Sequence, residues 1–322
     1  MLERGRFIGP LIFLSAVAVA GIFLWELRAP AVPAARPFFT VAPGEGFLNI
    51  MDRLESEGFV RSRTVMKALG ALTGAAVRVK AGTFALSPGE SAPRVLWTLV
   101  GGGAQQVEVR IPEGASLYDV DAILAAHGVV PLGALIALAR ATTTPFEGML
   151  FPDTYLFFLG SDPQDVVTRM TDAFRVKAAP LLAADPVHAT EDLILASLIE
   201  KEVSGDGDRA TVAGILKKRV AAHMPLQVDA TVCYAKEIAA SRSVPCIPIT
   251  ALDLRRESPY NTYLHKGWPP GPIGSVGVSA IDAALHPKSS PYWFYLSDPV
   301  TKQTIFSKTL EEHNLNRSKY LK

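Results

Sequence analysis

Glu200 and Glu202 close the segment Leu193-Ile-Leu-Ala-Ser-Leu-Ile-Glu-Lys-Glu202, where an apolar run meets carboxylates. On a helix, Leu195, Leu198 and Ile199 share one face, and Glu202, four residues after Leu198 and three after Ile199, continues it while Glu200 points elsewhere. A carboxyl beside packed apolar surface loses hydration, which disfavours its charged form and suits it to donate a proton near neutral pH. Glu202 is therefore the candidate catalytic acid, with Glu200 as the alternative. The competing reading makes Glu200, Lys201 and Glu202 the solvated end of a helix that runs into the Gly205–Gly207 loop.

Downstream residues have the types that hold a sugar. Leu226-Gln-Val-Asp229-Ala-Thr231 sets Gln227, Asp229 and Thr231 in an apolar context, and Ser258-Pro-Tyr-Asn-Thr-Tyr263 and Gly267-Trp-Pro-Pro-Gly-Pro-Ile273 read as stiff aromatic loops. The faces of Tyr260, Tyr263 and Trp268 can stack on the C–H surface of a pyranose, while Gln227, Asn261 and Thr262 can hydrogen-bond hydroxyl and acetamido groups without carrying charge. Prolines such as Pro270 limit the entropy lost when a loop closes on a ligand. Single dipeptides of this kind also occur in many surface turns.

The elements that must position these residues follow from composition and pattern. With 322 residues and 49% hydrophobic content the chain can bury a large core and fits two domains. Lys plus Arg is 32 and Asp plus Glu is 31, which gives no electrostatic footprint for nucleic acid. The six histidines form no His-Glu-x-x-His run, and Cys233 and Cys246 are too far apart for a Cys-x-x-Cys clamp, so no metal site and no cofactor are expected. The two cysteines read equally well as a disulfide or as two buried thiols.

Phe7 to Trp25 contains no charged residue, and its 19 residues are long enough to cross a bilayer as a helix. Arg4 and Arg6 precede it, so residues 1–6 are expected in the cytoplasm and everything after Trp25 outside. Ala31-Val-Pro-Ala-Ala35 would suit signal cleavage, but the apolar run exceeds a signal core of roughly 7–15 residues, which favours a retained anchor. Residues 26–38 read as a semi-rigid Pro/Ala linker. Beyond it a frame repeats: Val41-Ala-Pro-Gly44 leads through Phe47, Ile50 and Leu54 to Gly58, and Ile111-Pro-Glu-Gly114 leads through Leu117, Val120 and Leu124 to Gly128. Each copy predicts a short strand, a Gly turn and an amphipathic helix stopped by Gly, and a weaker third copy runs from Ser87-Pro-Gly89 to Gly101. Residues 82–86 and 106–111 alternate as strands do, and helical periodicity dominates from Pro163 to about Val220. The change of character near residue 140 marks a domain boundary.

Six ordered motifs together resemble one family. Glu147-Gly-Met-Leu-Phe-Pro-Asp-Thr-Tyr155, Leu195-Ala-Ser-Leu-Ile-Glu-Lys-Glu202, Leu226-Gln-Val-Asp-Ala-Thr231, Ser258-Pro-Tyr-Asn-Thr-Tyr263, Gly267-Trp-Pro-Pro-Gly-Pro-Ile273 and Phe306-Ser-Lys-Thr-Leu-Glu-Glu-His-Asn314 occur in the order seen in the YceG-like family of endolytic murein transglycosylases. The resemblance implies an α+β chain with an N-terminal transmembrane helix at 7–25, a LysM-like repeat domain at 39–140 and a mainly helical catalytic domain with short strands at 141–322. It implies a single-pass protein of the cell inner membrane with its C-terminal domain in the periplasm. The implied activity cuts the β-1,4 bond from N-acetylmuramic acid to N-acetylglucosamine inside nascent strands and leaves a 1,6-anhydro end. The family's acid lies in the Glu-Lys-Glu segment, and the match puts it on Glu202. Gln227, Asp229, Thr231, Tyr260, Asn261, Thr262, Tyr263, Trp268 and Pro270 are the expected substrate contacts, glycan strands the expected partner and peptidoglycan synthases candidate partners. Two departures stand out: Val228 and Ala230 flank Asp229 where the family has Ser or Thr and Pro, and Trp268 replaces a more usual Leu. A muramidase-type hydrolase pairing Glu202 with Asp229, and a non-catalytic glycan-binding scaffold, are the competing functions.

Overall fold

The structure is a computed structural model that describes residues 8–30, 38–86, 89–101, 106–142, 146–183, 185–203 and 205–321, with residues 8–16 and 206 described by backbone alone. Arg4, Arg6 and most of the expected linker lie outside the described residues. In chain order the elements are α1 (Ile8–Glu26), β1 (Phe38–Val41), α2 (Phe47–Ser56), α3 (Arg63–Thr73), β2 (Gly82–Ala85), α4 (Ala92–Gly101), β3 (Gln106–Arg110), α5 (Leu117–Ala126), α6 (Ala134–Ala141) and β4 (Thr154–Phe158). There follow α7 (Pro163–Lys177), α8 (Ala179–Leu182), α9 (Ala189–Glu202), α10 (Asp206–Ala221), α11 (Asp229–Ala240), α12 (Ala251–Leu254), α13 (Val278–Leu285), β5 (Phe294–Ser297), β6 (Thr304–Ser307) and α14 (Leu310–Tyr320). Among the described residues the strands form three two-stranded sheets, β1–β2, β3–β4 and β5–β6, so the fold is α+β and mostly helical.

Helix α1 coincides closely with the apolar run expected to span a membrane. Among the described residues, however, no helix is long and apolar enough to cross a membrane.

The chain divides into two compact units, Met1–Val107 with Phe157–Ser161, and Glu108–Leu156 with Asp162–Lys322. The expected boundary near residue 140 falls inside the second. In the first unit β1 pairs antiparallel with β2, Phe38 opposite Ala85 and Val41 opposite Gly82, and α2 and α3 lie between them in sequence. Ile50, Met51 and Leu54 on α2 close over Phe39, Phe84, Leu96 and Leu99 because their spacing puts them on one face.

The second unit is built around α9. Ile194, Leu195, Ala196, Ser197, Leu198 and Ile199 are all buried, so the stripe expected from the sequence is instead a helix covered on every side. Helices α8, α10, α11 and α13 pack against it, and a helix apolar all round is one that others surround. Two polar residues on α9 are paired rather than solvated: Asp192 meets Lys217 at 2.9 Å, and Ser197 Oγ accepts the Ile273 N–H at 3.1 Å. That second bond fixes the Gly-Pro-rich loop to the helix. The helix stops at Glu202 because Val203 is extended, with φ −126° and ψ 112°.

Both frames of the repeat form as expected. Gly44 and Gly114 take φ +80° and +76°, and Gly58 and Gly128 take +82° and +70°, conformations that cost any other residue strain. In the second copy Ser116 and Asp119 form a capping box that starts α5.

Candidate active site

Glu202 ends α9 and is half-buried. Its carboxyl lies at the N-terminus of α11, where the Ala230 N–H donates to it, and the Tyr295 hydroxyl of β5 donates to it as well. Both bonds favour the carboxylate. Burial opposes them, and so does the like charge of Asp229, with the result that the Glu202 pKa is pushed up to about 7. A carboxyl in that state holds its proton over part of the neutral range and can give it up there.

Asp229, at the first turn of α11, is exposed and accepts a hydrogen bond from the Tyr263 hydroxyl at 2.5 Å. Burial and that bond raise the Tyr263 pKa, so its proton stays on the phenol. Gln227 is exposed in a left-handed backbone conformation, φ +53°, and its side-chain oxygen accepts from Arg219 at 2.7 Å. Arg219 is itself buried and also donates to the Pro225 carbonyl at 2.8 Å, which ties the turn before α11 to α10. Glu202, Asp229 and Tyr263 are thus brought together with Tyr295, and Gln227 reaches the group through Arg219.

Other expected contacts serve the fold. Asn261 is fully buried and donates to the carbonyls of Leu254 and Arg256 at 3.1 and 2.8 Å while accepting the Tyr263 N–H at 3.0 Å. Thr231 and Thr262 are buried and share a 2.9 Å hydroxyl contact, and Thr262 Oγ1 also accepts the Val228 N–H at 3.0 Å. All three side chains spend their hydrogen bonds inside the protein, fixing the loop that carries Tyr263. Trp268 donates to Glu191 at 3.2 Å, eleven residues before Glu202 and so about 16 Å away along the helix. Pro270 is exposed beside it in sequence, and Tyr260 meets Tyr234 with ring centroids 4.8 Å apart.

Glu200 is not a solvated charge. Its side chain is 2% exposed, it meets Arg209 at 2.7 Å, and it accepts the Gly277 N–H at 2.9 Å. Lys201 is half-buried, packs 3.5 Å from where a Cβ on Gly114 would lie, and faces Glu147 and Glu237. His313 stacks on Phe294 at 5.2 Å.

Two groups escaped sequence reasoning. Tyr295 lies 93 residues beyond Glu202, and nothing in a four-residue strand announces that partner. The other group centres on Glu147, whose pKa burial also pushes up to about 7; it accepts from the Leu117 N–H at the start of α5 at 3.1 Å and from the Tyr234 hydroxyl at 2.8 Å. Nearby Glu237, buried and facing Asp119, is raised to about 7 as well. A cavity of about 300 Å³ lined by Glu113, Asp119 and Ser243 lies on this side, and Glu202 is not among its walls. Cys233 and Cys246 are joined as a disulfide, with Cα atoms 5.0 Å apart, which ties α11 to the segment after it. Among the described residues no group of three or more His, Cys, Asp or Glu is placed to hold a metal ion.

The YceG-like family matches this chain over residues 39–319. Endolytic murein transglycosylase of Bacillus subtilis (strain 168) is 36% identical over 184 residues, 55% of this chain and 48% of that protein. The protein of the same name from Streptococcus pneumoniae serotype 2 is 27% identical over 178 residues, 54% of this chain and 32% of that one. A crystal structure of a YceG-like protein from Listeria monocytogenes shares 28% identity and a TM-score of 0.54, covering 87% of this chain and 98% of that chain. This chain therefore spans about half the length of the first of these curated relatives and about a third of the second.

Proposed function

As this chain belongs to the YceG-like family, we propose that its second unit is a peptidoglycan lytic transglycosylase that cuts glycan strands internally, with Glu202 as its acid. The observation that carries the reading is the Glu202 carboxyl, raised to about 7 by burial and Asp229 yet bonded by Tyr295 and the Ala230 N–H. The names of the relatives agree with it.

In this reading protonated Glu202 gives its proton to the glycosidic oxygen. The bond from that oxygen to C1 of N-acetylmuramic acid breaks, N-acetylglucosamine leaves with a 4-hydroxyl, and positive charge develops on the ring. Glu202, now a carboxylate, takes the proton of the C6 hydroxyl as that oxygen bonds to C1. A 1,6-anhydro ring closes, and the acid is restored without water or a cofactor. The negative charge of Asp229 raises the acid, and in this reading it also steadies the developing cation. Its exposure and its bond to Tyr263 leave a second use as general base for water, which would make the enzyme a hydrolase.

The reading also covers placement. Helix α1 would anchor the chain in the inner membrane with the chain after it in the periplasm; its support is the uncharged run from Phe7 to Trp25, and the Cys233–Cys246 disulfide suits an oxidising compartment. The β-α-α-β order of β1, α2, α3 and β2 supports a LysM-like glycan-holding role for the first unit. Peptidoglycan synthases remain its proposed protein partners.

Incubating the full chain in detergent with uncrosslinked glycan strands and analysing fragment ends by mass spectrometry tests the reaction. Anhydromuramic ends are the expected product. Reducing muramic ends would replace the lyase with the hydrolase, and intact strands would leave a glycan binder.

A further inference from the structure

The C-terminal hairpin touches Glu202 at two points. Ser297 Oγ donates to the Glu202 main-chain carbonyl at 2.9 Å, and the Tyr295 hydroxyl donates to its carboxyl. Residues two apart on a strand face the same way, so one face of β5 reaches both ends of this glutamate. The hairpin is itself firmly held. Tyr295 pairs with Phe306 across β5 and β6, and the Trp293 N–H donates to the Ser307 carbonyl at 3.0 Å. At its base, Lys218 of α10 donates to the carbonyls of Ser290, at 3.0 Å, and of Tyr292, and lies over the Trp293 ring. Phe294 is stacked on His313 of α14.

We infer that β5 is a clamp that sets the acid in place, with Tyr295 as a positioning residue that fixes the Glu202 carboxyl while Ser297 fixes the end of α9. The inference rests on the proposed role of Glu202. A carboxyl that both donates and retrieves a proton must keep one orientation through two steps, and misplacement by about 1 Å can cost on the order of a hundredfold in rate. A phenol and a helix amide both donate to the carboxyl and fix its plane for the substrate. The groups facing Glu202 are Asp229 and the Ala230 N–H from α11, Tyr263 from the loop before α13, and Tyr295 from β5. Arg219 of α10 stands behind Tyr295, and Arg317 of α14 behind Tyr263. Tyr295 is the one donor among them that belongs to the hairpin.

The test uses the full chain in detergent as wild type, Tyr295→Phe and Ser297→Ala. Two readouts are taken: kcat and KM against pH on uncrosslinked strands, and the Glu202 carboxyl titration by infrared difference against Glu202→Gln. For Tyr295→Phe, kcat should fall roughly 10- to 100-fold with KM within about twofold. The carboxyl midpoint and the alkaline limb should both move above the wild-type value, because a bond to the charged form is gone. Ser297→Ala should lower kcat about threefold and leave the midpoint in place. A Tyr295→Phe protein with wild-type midpoint and kcat, or with only a raised KM, would overturn the inference. Should that variant not fold, 3-fluorotyrosine at position 295 keeps the ring and sharpens the donor, so the midpoint should drop; an unmoved midpoint again overturns it. If the wild type cuts no strands, the proposed activity fails while the midpoints still report whether Tyr295 holds the carboxyl.

Discussion

Glu202 and Glu147 occupy two regions of the same unit that are built alike. Each carboxyl accepts an N–H from the first turn of a helix, Ala230 on α11 or Leu117 on α5, and each accepts a tyrosine hydroxyl, Tyr295 or Tyr234. Burial raises both to about 7. They differ in the charges that face them: Asp229 alone beside Glu202, Lys201 as well as Glu237 beside Glu147. A cation steadies a carboxylate, whereas a second carboxylate makes the first hold its proton and lets it go readily when substrate charge develops. Their surroundings differ too, since the rings beside Glu147, Tyr118 and Tyr234, are buried, while Asp229 and Gln227 beside Glu202 are exposed. A raised carboxyl alone does not mark an active site; the cation in reach of Glu147 and the exposed Asp229 in reach of Glu202 separate the two.

The largest effect of a single substitution on stability should come from neither glutamate but from Glu200, which precedes Glu202 on α9. Glu200→Gln breaks an ion pair whose side chains are 7% and 2% exposed and weakens the charge pairing of the buried Arg209, which should cost about 3 kcal/mol in denaturant unfolding. If that variant unfolds like the wild type, Glu200 is not the structural half of the Glu-Lys-Glu segment. Next, Glu147→Ala takes the acceptor from the Tyr234 hydroxyl and the Leu117 N–H, and should cost about 2 kcal/mol while turnover per folded molecule stays within about threefold. A hundredfold loss of turnover there would erase the distinction between the two sites.

Asp229→Asn has a smaller and different signature. Removing the like charge lowers the Glu202 pKa, so the protonated form persists only to lower pH and the alkaline limb of kcat should move down by about one unit, roughly tenfold in rate at pH 8. Because Asp229 is exposed, added salt should shrink the shift. The pH dependence of stability carries a separate signature. A carboxyl whose folded pKa is raised stabilises the fold fully below its unfolded value and loses that contribution as pH climbs through the folded one. Glu147, Glu202 and Glu237, each moved from 4.5 to about 7, should therefore make stability fall between those values. Glu202→Gln should flatten part of that slope in melting experiments, and an unchanged slope would mean Glu202 titrates normally.

Much of this was legible in the sequence because it is local. The repeated frame announced two Gly-turned helices, since a left-handed turn needs Gly44 or Gly114 whatever surrounds it. Spacing also set Glu202 on a different face of α9 from Glu200. What spacing could not say was what meets each face. Helix α9 is buried all round, so its apolar pattern pointed to no single side, and Glu200 found Arg209 only after α10 folded back. Asn261, Thr262 and Thr231 have the chemistry of sugar ligands, yet the same hydrogen-bonding capacity pins the loop of Tyr263 from inside. Trp268 follows that loop to the far end of α9. Tyr295 and Tyr234 reach their glutamates through tertiary pairing that a single sequence does not encode in any local period.

The proposed reaction stands or falls with Glu202 as the acid. Turnover of glycan strands by the full chain carrying Glu202→Gln, with strand binding measured on the same sample, tests it most directly. The expected result is a loss of at least about a thousandfold in kcat with affinity within about threefold, because the amide keeps the shape and loses the proton. Turnover near the wild-type rate would exclude Glu202 as the acid and move the chemistry away from α9.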